Sequence, residues 1–311
     1  MIRKIKERTK RVLRDIFELG QHLGVDILPR NFYSEIPDFR ELRRNNSWNQ
    51  PRSMCGVNGA DVDEQLAFVR GCMTEGAQVL LGRENVYQRA CTENGALGYG
   101  PIEAEFLFCY AGRYKPRNIV QIGAGVTTAI LLHAAQCFGF SPKITCIDPY
   151  PTEFLKTCAA EGRITLIPKR CQDVALEVLF DVGLGDLLFV DSTHTVKVGS
   201  EVNYLILEAL PRLQGGCHVH FHDITFPYDY SPHLMTTNFF WNETALLLAF
   251  LTGNSRTRLL ASMSQLYHSR PKELQTLLPN YEPVAMNRGL WNGPETGHFP
   301  SALYMEVAKE R

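Results

Sequence analysis

The sequence predicts an α/β protein: a mostly parallel sheet with helices on both faces, preceded by a helical and irregular N-terminal cap. Three observations carry this. From about residue 96 onward strand-like and helix-like segments alternate, the pattern of a parallel sheet covered on both sides. The first strand-like segment ends in Ile122-Gly123-Ala124-Gly125, a tight turn of the kind that joins a strand to a helix. The composition, 45% hydrophobic and 21% charged over 311 residues, suits a chain that buries a sizeable core.

The elements follow in order. Residues 2–23 open with seven basic residues among the first fourteen, and Ile5, Val12, Ile16, Leu19 and Leu23 recur near helical spacing, so an amphipathic helix is expected. Its charge run reads as a solvated helix face rather than a nucleic-acid or membrane tail. Residues 28–60 are irregular, with Pro29, Pro37 and Pro51, and a helical pattern resumes over 61–83 after Asp61 as N-cap. Residues 1–95 therefore form an accessory cap on the domain 96–311 or a homodimer contact, since Phe32, Tyr33, Phe39 and Trp48 need cover. Strands are expected at 118–122, 144–147, 164–167, 187–190, 217–222, 256–263 and 302–307. Helices are expected at 127–138, 152–160, 174–180, 200–210 and 242–251.

Composition also excludes. Lys and Arg total 32 against 33 Asp and Glu, so the basic excess that a phosphate backbone demands is missing and no nucleic-acid partner is expected. Nine scattered cysteines without Cys-x-x-Cys spacing read as reduced core thiols of a cytoplasmic protein. The longest apolar run, 245–251, is far below the ~20 residues that span a bilayer, and no cleavable leader pattern is present, so no membrane association is expected.

The chemistry gathers at the strand ends. Gly123 and Gly125 let the backbone turn tightly and approach a ligand, while the following helix start offers free N–H groups. Thr128 stands where a dinucleotide fingerprint needs its last glycine, which weakens a nicotinamide reading. Asp148, 25 residues after Gly123, ends the second strand, where a carboxylate accepts both hydroxyls of a ribose. Gln172 and Asp173 follow the third strand within reach of an adenine edge, and Asp191 ends the fourth. Beyond them lie His194, His218, His220, His222, Asp223, Trp241, Asn242 and Glu243. Alternation puts His218, His220 and His222 on one strand face. His218 and His220 read as hydrogen-bonded structural residues, and His194, His222 and Asp223 as functional ones at the ligand edge. The aromatic stretch containing Tyr228, with Trp241, Asn242 and Glu243, is the expected acceptor wall.

On Ile122-Gly-x-Gly, Ile147-Asp-Pro-Tyr-Pro, Val190-Asp-Ser-x-His and His220-x-His-Asp-Ile, the chain resembles the class I S-adenosylmethionine-dependent methyltransferases, nearest the bacterial small-molecule group. The resemblance covers about 96–311, and Asn31 to Asp38 is similar to a segment found before such domains. It implies a Rossmann-like seven-stranded sheet with its last strand antiparallel, S-adenosyl-L-methionine across the first half and a small-molecule acceptor across the second. It also implies Gly123 and Gly125 at the methionine part, Asp148 at the ribose, Gln172 or Asp173 at the adenine, and Asp191 beside the methyl group. Gln121 replaces an acid common in the family, and Thr127 a third glycine.

Metal-dependent relatives imply a divalent ion at Asp191, His222 and Asp223, which is not favoured because the His222 nitrogen suits a hard ion poorly. The expected alternative is His194 as general base, with Asp191, His222 and Asp223 positioning the acceptor. The expected function is methylation of an oxygen or nitrogen of a small molecule in secondary or specialised metabolism. A macromolecular methyltransferase and a non-catalytic nucleoside-binding scaffold are the alternatives.

Overall fold

The computed structural model describes residues 2–293 and 297–308, with side chains from residue 9 onward. The chain divides into two compact units, Met1–Trp48 and Asn49–Arg311. In the first, helix α1 (Ile2–His22) occupies the expected segment and gives way to Gly24 in the left-handed region that glycine tolerates. A short α2 (Phe39–Arg44) starts at Asp38, whose carboxylate accepts the Arg40 N–H as N-cap. The Trp48 indole donates to Leu42 O at 3.0 Å.

In the second unit, α3 (Val62–Cys72), α4 (Glu75–Leu81), α5 (Val86–Asn94) and α6 (Pro101–Tyr114) precede the sheet. There follow β1 (Asn118–Ile122), α7 (Val126–Phe138), β2 (Lys143–Ile147), α8 (Glu153–Ala160), β3 (Thr165–Ile167), α9 (Leu176–Leu179), β4 (Leu187–Val190), α10 (Glu201–Tyr204) and β5 (His218–Phe221). Then come α11 (Glu243–Leu251), β6 (Thr257–Ser262), α12 (Met263–Ser269), α13 (Pro271–Leu277), β7 (Met286–Asn287), β8 (Leu290–Trp291) and β9 (Leu303–Val307). All seven expected strands are present, with ends within one residue of their expected places.

They form one seven-stranded sheet in the order β3-β2-β1-β4-β5-β9-β6, with β1 to β5 parallel and β9 antiparallel to both its neighbours. Two apolar layers cover it. One holds Leu66, Val69, Val86, Ala90, Phe106 and Ile130; the other holds Leu205, Ile206, Leu247 and Leu251. Because α3 and α5 share their core with α6 and α7, the division of the chain falls after Trp48 and not near residue 95.

The helices depart further from expectation than the strands. The 61–83 segment breaks at Thr74, whose hydroxyl caps α4 through Ala77 N. Of 174–180 only α9 is helical, and a 3-10 turn occupies 171–173. The segment 200–210 widens into a π turn over 205–209 and tightens at Pro211, where no backbone N–H is available. Helix α6 was not anticipated: it is buried from Ile102 to Ala111 on all sides, so it lacks the amphipathic stripe by which surface helices are recognised.

Register positions the site. Ile122 pairs with Ile147 and with Val190, and Val190 pairs with Phe221. The next residue of each strand, Gly123, Asp148, Asp191 and His222, therefore emerges at one edge of the sheet, the carboxyl edge where open α/β folds bind ligands.

Candidate active site

A cleft of about 520 Å³ opens over the ends of β1, β2 and β3, lined by Gly123, Asp148, Tyr150, Arg170, Gln172, Asp191, Ser192 and Glu201 among others. Gly123 has φ 76° and is indispensable, since a Cβ there would run into the carbonyl oxygen of Asp191. Asp148 is held facing the turn: its Oδ2 accepts the Ala124 N–H at 3.1 Å and its Oδ1 the Tyr150 N–H at 2.8 Å. Gln172 donates through Nε2 to Gly199 O at 3.0 Å. Among the described residues its Oε1 and the Ser192 hydroxyl are buried without a hydrogen-bond partner, leaving acceptor and donor capacity for a bound polar molecule. These unpaired groups and the fixed carboxylate fit the nucleoside part of S-adenosylmethionine.

Four expected cofactor residues, Gln121, Gly125, Thr127 and Asp173, are not in this cleft. Gln121 is fully buried, donating to Thr127 Oγ1 at 3.0 Å and accepting from Thr128 Oγ1 at 2.8 Å, so Gln121 and Thr127 satisfy each other inside the sheet-helix packing. Asp173 is exposed and held by the Arg170 guanidinium at 2.6 and 3.0 Å, outside the lining. Gly125, at φ 139°, lies against the Asn94 side chain.

A second cavity, of about 220 Å³, is lined by Glu103, Asp223, Thr225, His233, Trp241, Trp291, His298, Phe299 and Ser301. Between the two lies a set of charged groups. His194 Nδ1 stands 2.9 Å from Glu243 Oε2, and its Nε2 is 3.6 Å from Asp191 Oδ1 and 3.5 Å from Asp223 Oδ2. His222 Nδ1 faces Asp191 Oδ1 at 3.3 Å and Asp223 Oδ2 at 3.6 Å, while Nε2 faces Glu103 Oε1 at 3.3 Å. Each ring thus presents both nitrogens to carboxylates, and only an imidazolium donates from both. Burial alone would push both pKa values down. The Glu243 hydrogen bond with the charges of Asp223, Glu243 and Asp191 holds His194 above its usual range instead, and Asp223, Asp191 and Glu103 hold His222 well above. For Asp191, burial works upward but the His222 and His194 charges prevail and keep its carboxyl below the usual range.

Local backbone geometry serves this set. His194 and Asp223 adopt φ 58° and 55°, a left-handed conformation uncommon outside glycine and maintained by surrounding bonds. The His194 carbonyl accepts the N–H groups of Asn242 and Glu243 at 3.1 and 3.2 Å, and Asn242 Oδ1 accepts the Val196 N–H at 2.6 Å. Asn242 therefore clamps the His194 loop instead of lining the second cavity. The Trp241 ring lies 4.8 Å from the His194 ring and does line it. Tyr228 does not; it packs on Tyr230 and His268. His218 is bonded to Tyr110 OH at 2.8 Å, and burial pushes it down to about 4; His220 stacks on Phe189.

Tyr99, Glu103 and Ser301 were not anticipated. Tyr99 places its ring 4.7 Å from His222. Ser301 donates its N–H to Glu103 Oε1 at 2.7 Å, and its hydroxyl lies 2.9 Å from Asp223 Oδ1. Pro101 at the first helical position with Glu103 in the first turn was the available signal. Among the described residues, the ligand atoms that converge closely enough to share one ion are those of Glu84, His133 and Cys137. Asp191, His222 and Asp223 do not converge in that way.

Residues 120–224 match the family described as Methyltransferase domain. An uncharacterised protein of Archaeoglobus fulgidus is 27% identical over 166 residues, 51% of this chain and 74% of its own. Among solved structures, the SAH-bound methyltransferase PaMTH1 of Podospora anserina is similar at 13% identity and a TM-score of 0.42, covering 73% of this chain and 88% of that one. Cofactor-bound Rv0187 from MTB is similar at 14% identity and a TM-score of 0.45, covering 73% and 91%. No helix among the described residues is long and apolar enough to cross a membrane. With the family match running from within β1 to just past β5 and the strand order 3-2-1-4-5-9-6 around it, the parallel half of the sheet carries a methyltransferase domain.

Proposed function

We propose that this protein methylates an oxygen or nitrogen of a small-molecule acceptor, with S-adenosylmethionine over β1 to β3 and the acceptor in the cavity of Trp241 and Trp291. One observation carries the reading. Asp191 lines the cleft and lies 3.6 Å from His194 Nε2, and Asp223, 3.5 Å from the same nitrogen, lines the second cavity, so the two compartments meet at one group of charges. S-adenosylmethionine, when bound, supplies a methyl group already activated on a sulfonium, which leaves the protein proximity, water exclusion and proton removal.

Asp148 accepts from the ribose hydroxyls, and Gln172 Oε1 offers an acceptor to the adenine amino group. His194 is the base: once its Nε2 has lost its proton it takes that of the acceptor, and Glu243 on Nδ1 fixes the ring and stabilises the imidazolium that results. Asp191, Asp223 and His222 position the acceptor. Glu103 and Ser301 orient His222 and Asp223 from behind. A specialised biosynthetic role, a cytoplasmic location and a homodimer belong to the same reading.

The test is methyl transfer from labelled S-adenosylmethionine to fractionated small molecules of the source organism. Labelling confined to protein or nucleic-acid fractions would assign the activity to a macromolecular acceptor, and labelling of no fraction would leave a scaffold.

A further inference from the structure

Helix α1 is divided lengthwise by chemistry. From Thr9 onward, Val12, Leu13, Ile16, Phe17, Leu19 and the following Leu23 fall within an arc of about 160° at 3.6 residues per turn. Arg11, Arg14, Asp15, Glu18, Gln21 and His22 occupy the opposite side, and no charged residue from Thr9 on intrudes into the apolar arc. That arc stands in solvent: Val12 is 51%, Ile16 41%, Leu19 60% and Leu23 74% exposed. Exposed apolar side chains continue beyond the helix, with Ile27, Leu28 and the edge-to-face ring pair Phe32 and Tyr33.

Charge identifies what covers this face. Ile2–His22 holds seven Lys and Arg against three acids, whereas the whole chain is balanced at 32 against 33. We propose that α1 is an in-plane anchor that lays its apolar face on an anionic phospholipid surface, with its basic side at the headgroups. The features agree: segregation of the two faces from Thr9 on, many charges on one of them, and low mean apolarity, which together keep a helix at the interface instead of across the bilayer. A second copy is a poorer occupant. The arc is wider than the a/d seam of a helix pair, and parallel pairing would bring together the seven basic residues of the first fourteen. Nucleic acid would use the charge but not the apolar arc.

The experiment floats the full chain with vesicles of phosphatidylcholine alone or mixed with phosphatidylglycerol. Flotation is expected with the anionic vesicles only, weakening as salt is raised. Ile16→Asp and Leu19→Asp, made separately, should each abolish it. Arg11→Gln and Arg14→Gln should each weaken it about fivefold, the effect of one basic residue near an anionic surface, and Asp15→Asn should leave or strengthen it. Absence of flotation at low salt, or flotation indifferent to Ile16→Asp and Leu19→Asp, overturns the proposal. So does a concentration-dependent dimer lost in Leu19→Asp without flotation, which gives the face to a second copy, or retention on RNA without flotation, which gives the helix to nucleic acid.

Discussion

His194 Nδ1 lies 2.9 Å from Glu243 Oε2, and this buried pair, more than any other contact in the site, sets the proton affinity of the proposed base. Burial lowers that affinity, and the Glu243 hydrogen bond and the neighbouring carboxylates more than restore it. Glu243→Gln keeps an acceptor oxygen on the ring but removes the charge. The alkaline rise of the rate should then begin at lower pH than in the parent. An unmoved midpoint in the pH–rate profile would exclude Glu243 from this role.

His194→Ala should lower turnover by the ~10²–10⁴-fold typical of losing a general base, with affinity for S-adenosylhomocysteine near that of the parent. In the parent the rate should climb at higher pH than an ordinary histidine would set, because the ring is an imidazolium until its raised pKa is passed. A near-normal, pH-independent rate in the variant would place the base elsewhere.

Asp148→Ala should weaken S-adenosylhomocysteine binding by about 1.5–3 kcal/mol, the scale of hydrogen bonds to a charged group. Titration calorimetry decides it. The same carboxylate also holds the Ala124 and Tyr150 N–H groups, so part of the loss will come from a loosened glycine turn.

Two histidines with raised pKa values tie stability to pH. Their contribution is fully present below the ordinary histidine pKa of about 6.5 and is lost as pH rises through the raised folded-state values. Urea midpoints should therefore fall from near-neutral into alkaline pH. The His222→Gln variant, which no longer titrates there, should show a shallower fall; equal slopes would contradict the assignment.

At the opposite end of the sheet, Asp186 Oδ1 accepts the N–H groups of Arg117 and Asn118 at 3.1 and 2.9 Å, and its Oδ2 accepts Asn118 Nδ2 and Gly183 N at 2.8 and 2.9 Å. Asp186→Ala strands these donors and should cost about 2–3 kcal/mol of stability. Chemical denaturation measures it, and a loss under about 0.5 kcal/mol, the level of an ordinary surface change, would show that water replaces the carboxylate.

The sheet was legible in the chain because a strand announces itself locally: Ile119, Val120 and Ile122 lead into glycines whose turn admits no other residue, and the same grammar recurs at Ile147-Asp148 and Val190-Asp191. Helix α6, buried on every side from Ile102 to Ala111, carried no amphipathic stripe, and with it Glu103 was lost to view.

What the sequence by itself determined is the set of strand ends and the residue types offered there, Gly123, Asp148, Asp191, His194, His222 and Asp223, since periodicity and turn chemistry are properties of neighbouring residues. Tertiary structure decided which of these meet, and with whom. Glu103 and Ser301 come to His222 and Asp223 from a helix before the sheet and from the loop that leads into β9. Gln121 and Thr127, equally well placed in the motif, turn into the core and satisfy one another. Strand register and side-chain packing settle such pairings, and both depend on contacts between segments far apart in the chain, which no local pattern encodes.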